Sequence, residues 1–391
     1  MNNNKISIAE IVKKYTMFIV LAVVMIFFAT QRDGAILLPA NINNLILQNA
    51  YVFILATGML FCILTGGNID LSVGSVVCFV GAVGGDLMVN RQTSPIVAIL
   101  VMLLMGAIVG AWQGFWIAYV RIPPFIVTLA GMLVFRGLSN VVLDGLTLAP
   151  MPDEYLQMFN YYVPDFIGMK GINMTSMMAG ILACVVYVGA TLLARRKRAQ
   201  KGYELDLLVG TLAKMAVVCA VILFFAYKLS KYKGIPHVLI WVVVIVAIYY
   251  YISSKTIIGR HFYAVGGNEK ATKLSGINTN KVYFLAYLNM GLLSAIAAFV
   301  TIARLNSANP TAGTNYEMDA IASCFIGGAS AYGGTGSVPG VIVGALLMGV
   351  INQGMIIMSV DANYQRVVKG LVLLAAVIFD VVSKRKTFIA K

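Results

Sequence analysis

Read from its amino terminus, the chain alternates long apolar runs with short polar stretches. The runs cover residues 15–30, 45–64, 71–89, 96–120, 125–143, 175–194, 205–227, 238–252, 282–303, a short 320–331, 338–358 and 367–382. Most are near the ~20 residues that an α-helix needs to cross a hydrocarbon core, and they lack the residue-by-residue alternation of barrel strands. The pattern predicts an all-α polytopic transmembrane helical bundle of about 10–12 spans, forming a single domain over residues 1–391. The first run closes on Phe27-Phe28-Ala29-Thr30-Gln31-Arg32, a poor cleavage site, and reads as a retained signal anchor.

Two segments are broken by glycine. Thr65-Gly66-Gly67-Asn68-Ile69-Asp70-Leu71-Ser72-Val73-Gly74 interrupts the first half, and Gly327-Gly328-Ala329-Ser330-Ala331-Tyr332-Gly333-Gly334-Thr335-Gly336 the second. Backbone freed from helical hydrogen bonding persists at membrane depth only where protein or a water-lined cavity satisfies it. Paired breaks of this kind suggest a transporter, with Asn68, Asp70, Ser72, Glu317, Asp319 and Ser330 as candidates for the translocation path. For Asp70, capping of freed amides and lining of the path both remain open. Glu317 and Asp319 open the short 320–331 segment, where an acid serves either the helix terminus or the path. Other ionisable residues within spans are few: Arg136, Lys214 and, near the end of the last run, Asp380.

Composition agrees with the pattern, being 60% hydrophobic and only 11% charged, outside the range of soluble domains. The net charge of +14 could suggest a nucleic-acid partner, but its distribution points instead to the bilayer. Lysine and arginine gather at Lys13-Lys14, at Arg195-Arg196-Lys197-Arg198 with Lys201, in the 255–281 loop and at Lys384-Arg385-Lys386, which is the positive-inside pattern of a plasma-membrane protein. With the amino terminus inside, twelve crossings return the carboxyl terminus to the cytoplasm. The same parity places Lys228, Lys231 and Lys233 outside, against the charge rule. Cys62, Cys78, Cys184, Cys219 and Cys324 sit in apolar stretches without metal-like spacing and imply neither metal nor disulfide. No nucleotide-binding loop, zinc signature or nucleophile elbow is present, so neither a cofactor nor a catalytic residue is expected.

Three further features refine the picture. Gly106, Gly110 and Gly114, and likewise Gly336, Gly340 and Gly344, recur every fourth residue and allow helix backbones to approach closely. The outer loop 144–173, with Tyr155, Phe159, Tyr161 and Tyr162, reads as an interfacial lid or as a docking surface for an external protein. The loop 254–281 carries a short surface helix over residues 268–275, with Asn268 as N-cap and Gly276 as terminator, preceded by a tight turn at Gly266-Gly267. Its length and exposed aliphatic residues suit docking onto a soluble partner.

That loop, with Gly259-Arg260, Tyr263-Ala264, Gly266-Gly267-Asn268 and Ser275-Gly276-Ile277, resembles the coupling loop of the membrane permeases of bacterial ABC sugar importers. Thr65-Gly66-Gly67 with Ile69-Asp70-Leu71-Ser72-Val73-Gly74, Pro124-Phe125-Ile126-Val127-Thr128-Leu129 with Arg136-Gly137-Leu138, and Glu317 through Ser337 are similar to that family's other motifs. The extra hydrophobic pair around residues 195–227 resembles its xylose or multiple-monosaccharide branch. The resemblance implies a homodimeric permease for a monosaccharide. It further implies an extracytoplasmic sugar-binding protein and a cytoplasmic ABC ATPase, coupled through Gly259, Arg260, Gly266, Gly267, Asn268, Glu269 and Gly276. A branched-chain amino-acid ABC permease and an ion-coupled secondary carrier are the alternatives.

Overall fold

The computed structural model describes residues 8–168, 171–203 and 208–389, and within these the side chains at 8–16, 209, 379 and 383–389 are not described. The side chains of the Lys13-Lys14 and Lys384-Arg385-Lys386 clusters, and the start of the expected 205–227 run, therefore lie outside the described residues. The chain folds into helices: α1 Ile8–Gln31, α2 Pro39–Leu64, α3 Val73–Gly85, α4 Pro95–Ala118, α5 Pro124–Leu143, α6 Asp153–Phe159, α7 Met174–Gln200, α8 Leu208–Ser230, α9 His237–Lys255, α10 Ile257–Gly267, α11 Glu269–Leu274, α12 Thr279–Leu305, α13 Tyr316–Ile326, α14 Val338–Ile357 and α15 Ala362–Ile389. Among the described residues, nine helices are long and apolar enough to cross a membrane. The expected 320–331 segment is instead an 11-residue helix, α13, whose ~16 Å cannot cross a bilayer.

Burial separates a core from a periphery. In the most apolar stretch of α2, 89% of residues are buried inside the protein, against 6% in α7. The α7–α8 hairpin, which is the extra hydrophobic pair, thus packs on itself and turns most of its surface outward. Helix α12 lies between α2 and α4, and the glycine ladders explain how closely. A Cβ on Gly106 would come 2.6 Å from the Gly291 carbonyl oxygen, and one on Gly110 2.6 Å from that of Tyr287. A Cβ on Gly327 would sit 2.5 Å from the Gly340 oxygen, and one on Gly344 would overlap the Ser323 oxygen, so α13 and α14 touch through their backbones. Gly336 departs from the expected ladder: it precedes α14 with φ +149° and meets Leu60 and Ala329.

The two ends of the bundle differ. At one, the 144–173 loop is clamped down. Leu148 and Ala308 exchange backbone hydrogen bonds of 2.9 Å, Asn43 donates to the Tyr162 hydroxyl at 2.7 Å, and the buried Tyr155 donates to the Phe299 carbonyl at 3.0 Å. Tyr155, Phe159 and Tyr162 of this loop thus pack on the bundle, while Tyr161 and Phe166 stay exposed. Arg136 donates to the carbonyls of Pro310 and Ala312 at 3.0 and 2.7 Å and ties down the neighbouring 306–315 loop. The opposite end carries α10, α11 and the Arg195–Arg198 cluster.

Candidate functional site

At the basic end, three glycine segments far apart in sequence meet backbone to backbone. The Leu64 carbonyl, last of α2, accepts a hydrogen bond from Gly334 N at 3.1 Å. Gly66 and Gly67 (φ +123° and +77°) and Gly333 and Gly334 (φ +83° and +69°) take left-handed conformations that favour glycine. A Cβ on Gly67 would overlap the Ala331 oxygen, and one on Gly333 would overlap Gly66. The third segment is the end of α10. A Cβ on Gly266 would overlap the Leu64 oxygen and lie 2.5 Å from Gly334 N. Tyr263, one turn earlier, donates to the Gly336 carbonyl at 3.0 Å, and Asp380 of α15 accepts from Ala331 N at 3.1 Å. These backbone groups of the breaks thus find their partners within the protein.

Gly266 and Gly267 do not form the expected tight turn. They close α10 in helical conformation, and the close approach of Gly266 to α2 is what requires glycine, whereas a Cβ on Gly267 meets nothing. The sequence shows the glycine without showing which of its two properties is used. Before them, Thr256 caps α10 by accepting from Gly259 N at 3.1 Å, and Gly259 packs on Ser253 of α9. After them, Asn268 Oδ1 accepts from Ala271 N at 3.0 Å, α11 follows, and Gly276 ends it at φ +86°. Arg260 is exposed, and Leu274 at the tip is 89% exposed.

Arg121, which the sequence reading passed over, anchors this element. It forms a 2.9 Å ion pair with Glu269 and also donates to Thr279 and Asn280, while Glu269 accepts from Thr279 and Tyr283 at 3.1 Å. Burial alone would raise the Glu269 carboxyl. The Arg121, Thr279 and Tyr283 contacts outweigh it and hold the group below the usual carboxylate range. Arg121 itself has φ +65°, an uncommon conformation for a side chain of its size, which these bonds stabilise. The available signal was a lone arginine in the short α4–α5 loop, but its partners lie some 150 positions on.

The path candidates divide into two groups. In the first break, Asp70 accepts from Ser72 N at 2.8 Å and from Ser72 Oγ at 2.6 Å, and Ser72 Oγ accepts from Gln113 of α4 at 2.6 Å. All three side chains are buried. Asn68 donates back to Thr65, and Ser330, in the second break, accepts from Tyr332 N at 3.1 Å. Glu317 and Asp319 lie at the far end of α13. Glu317 reaches Gly74, whose Cβ would come 2.5 Å from its carboxylate. Asp319, 1% exposed, accepts from Tyr51 at 2.6 Å and pairs with Lys369 of α15 at 3.0 Å. It does not cap α13, whose N-cap is Asn315. Tyr51 also stacks on Tyr316, with ring centroids 3.4 Å apart. The buried ion pair has no counterpart in the sequence reading, which expected capping or a path role.

Comparison with known proteins gives a consistent picture. A family model described as "Branched-chain amino acid transport system / permease component" matches residues 41–377. The chain is 39% identical to the xylose transport system permease protein of Haemophilus influenzae over 95% of this chain and 97% of the relative. It is 35% identical to the protein of the same name from Escherichia coli K12, over 95% of this chain and 93% of the relative. The ribose import permease protein of Escherichia coli K12 is 34% identical over 87% of this chain and 85% of the relative. No solved structure matches.

Proposed function

Since the chain belongs to the family of permease components of branched-chain amino acid transport systems, in the branch of sugar ABC permeases, we propose that it moves a pentose, delivered by an extracytoplasmic binding protein, through a homodimer driven by a cytoplasmic ATPase. It is the multi-pass permease subunit of an ATP-driven sugar importer in the inner membrane, and hydrolysis belongs to its partner. The relatives that match over most of the chain are named for xylose and ribose, which favours a pentose over a branched-chain amino acid. Both termini face the cytoplasm in this reading, together with the basic end that carries α10 and α11.

The single observation that carries the coupling role is the backbone junction of Gly266 with Leu64 and Gly334. Leu274 and Arg260 present an exposed tip to the ATPase, while Gly266 presses directly on both broken segments. A displacement at the tip therefore reaches the breaks through rigid backbone rather than through a chain of side chains. Ion coupling is disfavoured because Asp319 is neutralised by Lys369 and Asp70 is engaged by Ser72. Gly266→Val and Gly267→Ala, one residue apart, provide the test in the assembled transporter. The first should reduce sugar-stimulated ATP hydrolysis more than about tenfold, because the overlapped atoms are backbone and overpacking of this kind typically costs ~1–3 kcal/mol or more. The second should leave it near the unmodified level. Equal effects from both would remove the junction from the coupling mechanism.

A further inference from the structure

A cavity of about 790 Å³ lies between the α7–α8 hairpin and the bundle. Its walls come from α2, α7, α8, α9 and α14, with Phe53, Ala183, Val221, Val243 and Ile342 among them. Ser176 is a polar exception, and its hydroxyl already donates to Asn173 Oδ1 at 2.8 Å. With Tyr250 as the other polar side chain in the lining, a sugar would find few partners for its hydroxyls here, and water needs two to four polar partners to remain in such a space. Along α9 the lining runs from Leu239 to Tyr250, a rise of about 16 Å, or roughly half of a ~30 Å hydrocarbon core. The groove thus has the depth of one leaflet.

A second, independent observation lies at its mouth. Leu229 and Ile235 line the groove at the end of the hairpin, and between and beside them stand Lys228, Lys231 and Lys233. These lysines occupy the end of the bundle that the charge pattern otherwise keeps poor in cations. They rest over aromatic rings, Lys228 at 5.5 Å from the Phe224 centroid, Lys231 at 5.6 Å from Tyr227, and Lys233 at 5.5 Å from Tyr162. Exposed Tyr227 and Tyr232 place this rim at headgroup level, where aromatic side chains concentrate. Among the described residues, the ion pairs join other side chains, so the lysine charges face no protein carboxylate.

We propose that the groove holds an anionic diacyl phospholipid of the outer leaflet, with an acyl chain between the hairpin and the bundle and its phosphate at Lys228, Lys231 and Lys233. This site rests on the membrane reading alone and is independent of which sugar is carried. The lipid fills space that would otherwise leave the α7–α8 hairpin supported on one side only.

The test is native mass spectrometry of the full chain, extracted from vesicles of equal parts phosphatidylcholine and phosphatidylglycerol. The unmodified protein should retain phosphatidylglycerol over phosphatidylcholine by at least about fivefold, the contribution of a single basic residue near a charged headgroup. K228Q/K231Q/K233Q, altered at the hairpin end, should still retain lipid but with the two species in the vesicle ratio. Ala247→Phe, which places a ring in the groove, should lose retained lipid of both kinds. Retention without headgroup preference in the unmodified protein, or preference surviving in the triple variant, would overturn the proposal. So would a change in oligomeric mass on filling the groove, which would mark it as a contact with a second copy.

Discussion

The two glycine breaks look alike in sequence but are stabilised in different ways. The first is closed largely by its own side chains and by one neighbouring helix: Asn68 returns to Thr65, and Asp70 and Ser72 form a buried chain to Gln113. The second closes on itself too, with Ser330 N donating to the Thr335 carbonyl and Gly333 N to the Ser330 carbonyl, both at 3.0 Å, but it is also held from outside. Its outside contacts are the Leu64 carbonyl, the Tyr263 hydroxyl and the Asp380 carboxylate, contributed by three different helices. A segment satisfied internally stays in place when its surroundings shift, whereas a segment satisfied by others follows them. In the coupling mechanism proposed above, the second break, with its bonds to α2, α10 and α15, is the one that α10 moves, and the first is the surface against which it moves.

The most damaging change should be Gly333→Val in the second break. It combines a left-handed φ with a Cβ that would overlap the Gly66 backbone, and a loss of more than about 4 kcal/mol, seen as a collapse of folded yield, is expected. A normally folded variant would show that the breaks do not touch as described. Next is the pair that fixes the far end of α13. Asp319→Asn or Lys369→Met alone should cost about 3–5 kcal/mol by leaving one buried group uncompensated, and the double variant should recover much of it. Thermal stability in detergent reads both, and additive losses would argue against a direct pair. The two changes are expected to leave the first break intact, since Asp70 and Ser72 do not touch either residue.

The first break should respond more gently. Asp70→Asn keeps the acceptor for the Ser72 amide and should fold and transport close to normal, whereas Asp70→Ala should lose about 1–2 kcal/mol with that bond. Poor transport by a well-folded Asn variant would instead assign the charge itself a role in the path. Smallest is the partly exposed Arg121–Glu269 pair, for which Glu269→Gln should change stability by no more than about 1 kcal/mol. Because the folded Glu269 carboxyl is held below its usual range, its contribution is present above the unfolded value of about 4.3 and is lost as pH falls through the folded value. The hydrogen-exchange protection factors of α11, corrected for the intrinsic pH dependence of exchange, should therefore be flat from neutral pH down to about pH 5. Loosening of α11 already in that window would contradict the anchor.

Much of the architecture was legible in the sequence because the bilayer imposes its own length and charge rules on spans and loops. The broken segments were legible because glycine clusters inside apolar runs have few other uses. What escaped was pairing. Arg121 and Glu269, Asp319 and Lys369, and Tyr51 and Tyr316 are each joined only by the fold, and neither member of a pair signals the other. Gly266 shows a further limit: glycine at a turn and glycine at a helix contact read alike until the neighbouring backbone is known. The short length of α13 was legible, but its end was not, since its apolar residues run on into the non-helical segment without a change in character.

The central claim is that the coupling tip and the second break move as one body. Pulsed electron resonance between spin labels at the exposed positions Leu274 and Tyr332, in the assembled transporter, tests it directly. A second pair, Leu274 with Leu192 on the peripheral α7, serves as reference. On addition of nucleotide, the 274–332 distance should stay fixed while the 274–192 distance changes. A 274–332 distance that shifts as much as the reference would contradict the account, because the tip would then move without carrying the break.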